Sequence, residues 1–280
     1  RYIQITAPFA PHALRLSDFS FRAVTSADVA QLIPLKNTDA RLAEIDRVAV
    51  NTLKNCMQRV FEDGPKRDRR LWIGDLRLEA LTNYYTFRNM ELVKRCLYLF
   101  AATQRNENGF VASYLFEYPE FVSGFDHIID YALLYAVTAC DYLNHSGDKE
   151  TFLALYPVVK QQVEAAHAIL DSEGIISSQK GWFAFIDWCP GLECIVSLHG
   201  VYLYTLDILA GTIAELFPED AGLFRKWLEE GRAAARREFL KNGRISSPRD
   251  KDQYSVHSAV WMTLGGVLTA EEARIALPAA

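Results

Sequence analysis

The chain predicts a mainly α-helical fold, with helices packed in two layers and a few short β-strands ahead of them. Three observations carry this. From Asn37 onward, apolar residues recur at spacings of three and four over most of the length. Roughly nine such segments follow one another, joined alternately by short turns and long polar loops. Many are apolar across a wide face, as helices buried between two layers must be.

Residues 1–36 differ from the rest. Tyr2, Ile3 and Ile5, then Phe19, Phe21 and Val24, alternate or cluster as short strands, and Pro8, Pro11 and Pro34 break the segments between them. Two or three strands do not make an independent domain. They read as the end of an upstream β domain and its linker, ahead of a helical domain over 37–280.

The first helix is capped by Thr38 or Asp39 and carries Leu42, Ile45, Val48, Ala49, Leu53 and Cys56 on one face. A second begins near Asp75 and a third spans about Met90–Gln104. After a long aromatic and polar loop, Asn106–Gly124, a fourth covers about Phe125–Asn144 and is closed by Ser146-Gly147-Asp148. A fifth runs over about Lys149–Leu170, and a non-helical stretch follows over Asp171–Leu192. Helices return at about Glu193–Phe217, Asp220–Leu240 and Ser255–Leu268, and Thr269 with Glu272 forms a capping box for one more. The helices share no motif, which excludes a simple repeat. Two layers of helices with the long loops at one end describe an α/α toroid, whose loop end holds the active site.

Composition narrows the function. A chain of 280 residues, half of them apolar and 12% aromatic, buries one large core. Its net charge of −5, with no basic run interleaved with aromatics, argues against nucleic-acid binding and gives no attraction to anionic membranes. No apolar run approaches the ~20 residues of a spanning helix. The five cysteines are odd in number and mostly far apart, so they read as free thiols. The six histidines never fall into metal-ligand spacing, and no P-loop, dinucleotide fingerprint or nucleophile elbow is present. Nothing requires a metal or cofactor.

The stretch from Glu62 to Asp75 is the strongest chemical signal. Eleven of its fourteen residues are charged or are Gly or Pro, and it lies between two helical patterns. Asp63, Asp68 and Asp75 lie close together, with Arg67 able to fix one carboxylate. Glycosidic bond cleavage needs one protonated and one ionised carboxyl group, and crowding pushes carboxylate pKa values apart. Trp72, Trp182 and Trp188 can wall a pocket against the apolar faces of sugar rings. The competing reading makes Asp63, Arg67, Asp68 and Arg70 an ion-pair network that braces the loop. Asp187, between aromatics, either lines the same pocket or holds a turn. Glu193 reads as a first-turn helix residue. His257 lies near a helix start, facing either the pocket mouth or the core.

The run Asp63-Gly-Pro-Lys-Arg67-Asp68-x-x-x-Trp72-x-Gly74-Asp75 resembles the signature of the glycoside hydrolase family 78 α-L-rhamnosidases. Asn51-Thr52-Leu53, Ser146-Gly147-Asp148 and Ile186-Asp187-Trp188 are similar to that family too, and the RYIQIT…FRAV lead-in resembles the end of the β-sandwich before its catalytic barrel. The resemblance covers nearly the whole chain. It implies an (α/α)6 six-hairpin toroid, incomplete here, and exo-acting hydrolysis of a terminal α-L-rhamnosyl unit by single displacement with inversion. It places the general acid at Asp68 and sugar-hydroxyl ligands at Asp63, Arg67 and Asp75. It puts Trp72 at the pocket wall, with the Asp187-Trp188 loop lining the same pocket. Two departures stand out: the family acid is commonly Glu, and the family base, a late Glu, matches no residue here. These 280 residues alone are therefore expected to be inactive. Two alternatives stay open: a six-hairpin glycosidase for another sugar, and a non-catalytic carbohydrate-binding relative. A scaffold for protein partners would not need the four charged residues to converge. Polysaccharide-degrading glycosidases are often exported, but no residue here bears on compartment, and none on oligomeric state.

Overall fold

Four helices stand side by side as an inner row and the others back them. The structure, a computed structural model, describes residues 4–6, 8, 15, 17–36, 39–124, 127–176, 183–247 and 253–277. Among these, the inner row is α2 (Ile73–Tyr85), α4 (Ile129–Ser146), α6 (Ile195–Thr212) and α8 (Val256–Leu264), each packed on the next. Behind it stand α1 (Ala40–Cys56), α3 (Met90–Ala101), α5 (Lys149–His167) and α7 (Pro218–Phe239). A short α9 (Ala270–Ala276) follows α8. Each backing helix and its inner partner form a hairpin, so the chain makes an arc of four hairpins.

Burial explains the layering. The central inner helices α4 and α6 bury residues on every side, including Leu133, Tyr135 and Ala136 of α4 and Val201, Tyr202 and Leu206 of α6. By length and composition α6 is apolar enough to cross a membrane, but 67% of it is buried inside the protein, as in a core helix. At the ends of the arc, apolar residues stay exposed. The face expected of α1 is buried only at Leu53 and Cys56, and Leu42, Ile45 and Val48 face solvent. Val260, Leu264 and Ile275 are exposed at the other end. No described element covers this face.

Capping separates the two layers. Side chains cap α1 (Asp39), α3 (Asn89), α5 (Asp148) and α9 (Thr269, with the full capping box), and α7 begins with Pro218. The four inner helices have no side-chain cap hydrogen bond. Their first N–H groups are met from outside the helix where they are met, Ile73 by the Ser113 carbonyl, Ile129 by the Phe183 carbonyl and Ile195 by the Glu193 carboxylate, and residues from all four helices line one cleft.

Two small sheets were not expected. β1 (Leu71–Trp72) pairs antiparallel with β2 (Tyr114–Phe116), and β2 with β3 (Val122–Ser123), so the aromatic loop is stitched to the acid loop. β4 (Leu240–Lys241) and β5 (Arg244–Ile245) form a hairpin after α7. The described residues of 1–36 form no strand. They hold a 3-10 turn at Val29–Gln31, and they dock through Thr25 on the Lys54 and Met57 carbonyls and through Ser26 N–H on Met57. Phe19, Phe21 and Val24 are exposed, with no described strand beside them.

Candidate active site

The acid loop is anchored at its base by Met57 and Phe61, which are fully buried and bridged to each other. Above them the loop closes on itself. Asp63 N–H donates to the Arg70 carbonyl (2.9 Å), Arg67 N–H to Gly64 (2.8 Å), and Arg69, in the left-handed region at φ 55°, to Gly64 (3.3 Å). The Asp63 side chain is 1% exposed and accepts from Arg67 Nη2 at 2.5 Å and from Arg70 N–H at 3.2 Å. Arg67 lies mostly in solvent and reaches inward to make that bond.

Asp68 is held differently. Its side chain is 38% exposed, and its nearest cation is Arg67 Nε at 3.7 Å, beyond hydrogen-bond distance. Both readings of the loop are therefore realised, on different residues: Asp63 with Arg67 is the brace, and Asp68 is the carboxyl group left accessible.

Asp75 sits in the first turn of α2, and burial followed by the nearby Asp63 charge raises its pKa. One turn on, burial and then the Asp75 charge push Glu79 up to about 8, and its Oε2 atom has no hydrogen-bond partner among the described residues. The Cys56 thiol donates to the same carboxyl group. Glu79 is thus protonated at neutral pH in the fold and ionised when the chain unfolds. Its folded pKa lies above the unfolded value, so stability falls as pH rises through that interval. His199, buried and lowered to about 4, acts with the opposite sign, but only below its unfolded value near 6.5. From about pH 6.5 to 8 the Glu79 effect is left, and we expect Tm to fall. Glu79→Gln is expected to flatten that fall. Thermal unfolding across the interval checks it, and a variant that keeps the native slope refutes it.

The cleft, about 250 Å³, opens at the N-terminal ends of the inner helices. Asp75 and Leu78 of α2, Tyr131 of α4, Ile186, Val201 of α6 and Trp261 of α8 line it. Aromatic rings continue from it in a chain: Tyr114 to Trp72 (4.4 Å), Trp72 to Tyr131 (6.3 Å), Tyr131 to Phe185 (5.9 Å) and Phe185 to Trp188 (5.1 Å). Gly74 permits the closest approach, since a Cβ there would lie 2.6 Å from the Tyr131 ring.

The far rim is the loop from Phe183 to Glu193. Asp130, in the first turn of α4, is 4% exposed and accepts from Phe185 N–H (3.0 Å) and Ile186 N–H (3.3 Å). Burial pushes it up to about 6, with those two N–H groups opposing the shift. Ile186 is held at φ 47°, a conformation that costs a β-branched residue about 1–3 kcal/mol. Asp187 is occupied on both oxygens: Oδ2 lies 3.0 Å from His257 Nε2 of α8, and Oδ1 accepts from Trp188 N–H at 2.7 Å. It holds a turn and ties the rim to α8, and His257 faces this rim. Trp188 is 85% exposed on the lip. Glu193 accepts the Ile195 N–H at 2.9 Å, at the start of α6. Trp182 lies outside the described residues. Cys56, Cys96 and Cys140 are buried free thiols, whereas Cys189 is exposed on the rim. No group of His, Cys, Asp and Glu among the described residues is arranged to hold a metal ion.

Of the predicted residues, Asp75 lines the cleft itself, Trp72 packs on the lining ring of Tyr131, and the Asp63 and Arg67 charges act on Asp75. Asp68 is placed by its approach to Arg67, and Trp188 stands at the far end of the aromatic chain, next to Asp187. Sequence reasoning missed Asp130, Tyr114, Tyr131 and Phe185. The one signal for Asp130 was an acid at the head of a long apolar run in α4.

An inner and an outer row of helices, with paired carboxylates and aromatics at the loop end, define a six-hairpin glycosidase domain. Residues 31–273 match the family model of the bacterial alpha-L-rhamnosidase six-hairpin glycosidase domain, and the chain belongs to that family. A rhamnosidase from Klebsiella oxytoca, solved with rhamnose bound, is 37% identical at a TM-score of 0.83, over 88% of this chain and 48% of that one. This chain therefore spans about half the length of that enzyme. A GH78 family rhamnosidase of Bacillus sp. GL1 is 21% identical at a TM-score of 0.76, over 86% of this chain and 26% of its own. A Streptomyces avermitilis alpha-L-rhamnosidase complexed with L-rhamnose is 15% identical at 0.71, over 87% and 23%. At these last two identities the likeness is one of fold. Among curated proteins none matches.

Proposed function

We propose that this chain is the substrate-binding and proton-donating part of an exo-acting α-L-rhamnosidase. The observation that carries the reading is the split within the acid loop: Asp63 is buried and consumed by Arg67, while Asp68 stays part-exposed, on a loop that runs on to Trp72 and the cleft-lining Asp75. The rhamnose bound to the Klebsiella relative supports the choice of sugar. The terminal ring sits in the cleft, its methyl group and apolar face against Tyr131, Leu78 and Trp261. Asp75 and the Arg67 guanidinium, held in place by Asp63, bind its hydroxyls. Asp68 donates its proton to the glycosidic oxygen as the bond from that oxygen to the anomeric carbon breaks. Water attacks the opposite face and loses its proton to a general base, for which no residue is assigned here. The aglycone leaves as an alcohol and the sugar as the inverted hemiacetal.

Time-resolved proton NMR of the full-length protein acting on an aryl α-L-rhamnoside tests this. The first-formed sugar is expected to be β-L-rhamnose. The α anomer appearing first would mean retention and sink the single displacement; no rhamnose at all would sink the function.

His257 is expected to act through Asp187. His257→Ala releases one oxygen of Asp187 and loosens the lip that carries Trp188. An exposed pair of this kind is worth a few tenths to about 1 kcal/mol, so KM should rise about two- to fivefold with kcat little changed. Steady-state kinetics decide it, and a fall in kcat alone would contradict it.

A further inference from the structure

Beside the acid loop lies a cation that the proposed reaction does not use. The Arg70 guanidinium rests over the Tyr114 ring, 4.5 Å from its centroid, and 5.9 Å from that of Phe116. Arg70 is half-buried, yet its side chain makes no hydrogen bond or ion pair among the described residues. Other arginines of this part of the fold are committed. Arg67 is on Asp63, Arg69 on the Pro65 carbonyl, Arg77 on Asp141 and Tyr204, and Arg95 on Glu117. A stacked guanidinium is pre-organised, and its planar fork matches a carboxylate in two parallel bonds.

Its place relative to the cleft matters. Tyr114 is the outer end of the aromatic chain that runs through Trp72 to Tyr131 in the cleft wall. Arg70 also lies two residues after Asp68, and its backbone N–H holds Asp63. On the far side, the β2–β3 turn puts Tyr118 (83% exposed) and Phe121 (48% exposed) in solvent. A sugar chain leaving the cleft past Asp68 would meet first a stacked cation and then exposed rings. From Glu62 to Arg70 the loop carries four cations against three acids, in a chain that is acidic overall.

We infer that Arg70 forms a subsite for the carboxylate of a uronic acid, the sugar to which the terminal deoxy sugar is linked. The inference rests on the rhamnosidase reading and adds the class of the neighbouring sugar.

The test is calorimetric binding to the full-length protein of two sulfur-linked disaccharides that resist hydrolysis: α-L-rhamnosyl-glucuronate and α-L-rhamnosyl-glucose. At low salt the uronate is expected to bind about tenfold tighter than the neutral sugar. Arg70→Gln should bring the two Kd values together, and Arg70→Lys, which keeps the charge without the fork, should restore part of the difference. Equal binding to the native protein, or a preference that survives Arg70→Gln, overturns the subsite. If neither disaccharide binds, the rhamnosidase reading falls, and methyl β-D-glucuronide alone decides the rest. Binding that Arg70→Gln abolishes keeps the anion subsite, and no binding removes it.

Discussion

Replacing Asp68 by Asn is expected to lower hydrolysis of a rhamnosyl disaccharide by about 10²–10⁴ in kcat, the usual worth of a positioned general acid. The loss should depend on the leaving group. A sugar alcohol needs a proton to depart, whereas a nitrophenolate needs little, so the nitrophenyl rhamnoside should lose far less. The geometry behind this is the 3.7 Å separation from Arg67 and the part-exposed side chain, which leave Asp68 free to meet a substrate oxygen. Asp75→Asn is the necessary companion, because Asp75 lines the cleft and burial raises it. If the leaving-group dependence follows Asp75 and not Asp68, the acid has been misassigned.

Gly200→Ala is expected to be the most damaging single methyl group. Gly200 lies where α6 crosses α8, and a Cβ there would sit 2.7 Å from the Trp261 carbonyl carbon and 2.9 Å from its oxygen. Both atoms are backbone, so no rotamer change relieves the clash. Overpacking of this kind costs about 1–3 kcal/mol, and the upper end fits a clash with main chain. Alanine returns up to about 1 kcal/mol in helix propensity. The net loss of about 2 kcal/mol corresponds to a Tm lower by ~3–4 °C in a domain of this size. Thermal unfolding by circular dichroism measures it, and an unchanged or raised Tm would show that the crossing has room. Because α8 carries both His257 and Trp261, KM should rise as well.

Residue by residue, the readability of the chain followed the range of the interactions. The starts of α3, α5 and α9 fell where Asn89, Asp148 and Thr269 place them, because each cap bonds an N–H within three residues. The starts of α2, α4 and α6 were misplaced by two to four residues, since Trp72, Ile128 and Cys194 make no cap bond. The pairing of Trp72 with Tyr114 was not readable, because two-residue strands carry no period and the partner lies far along the chain.

By itself the sequence determined the helical inventory, the hairpin alternation, the acid loop and the family, all of them written in local spacing or in one contiguous motif. The tertiary structure alone decided which helices are inner and that Asp63 is spent on Arg67 while Asp68 is not. It also decided that Asp130 and His257 grip the opposite rim. The grips of Asp130 and His257 depend on partners dozens of residues away, and the split between Asp63 and Asp68 on which of two nearby carboxylates is buried, whereas a spacing rule acts over one or two turns.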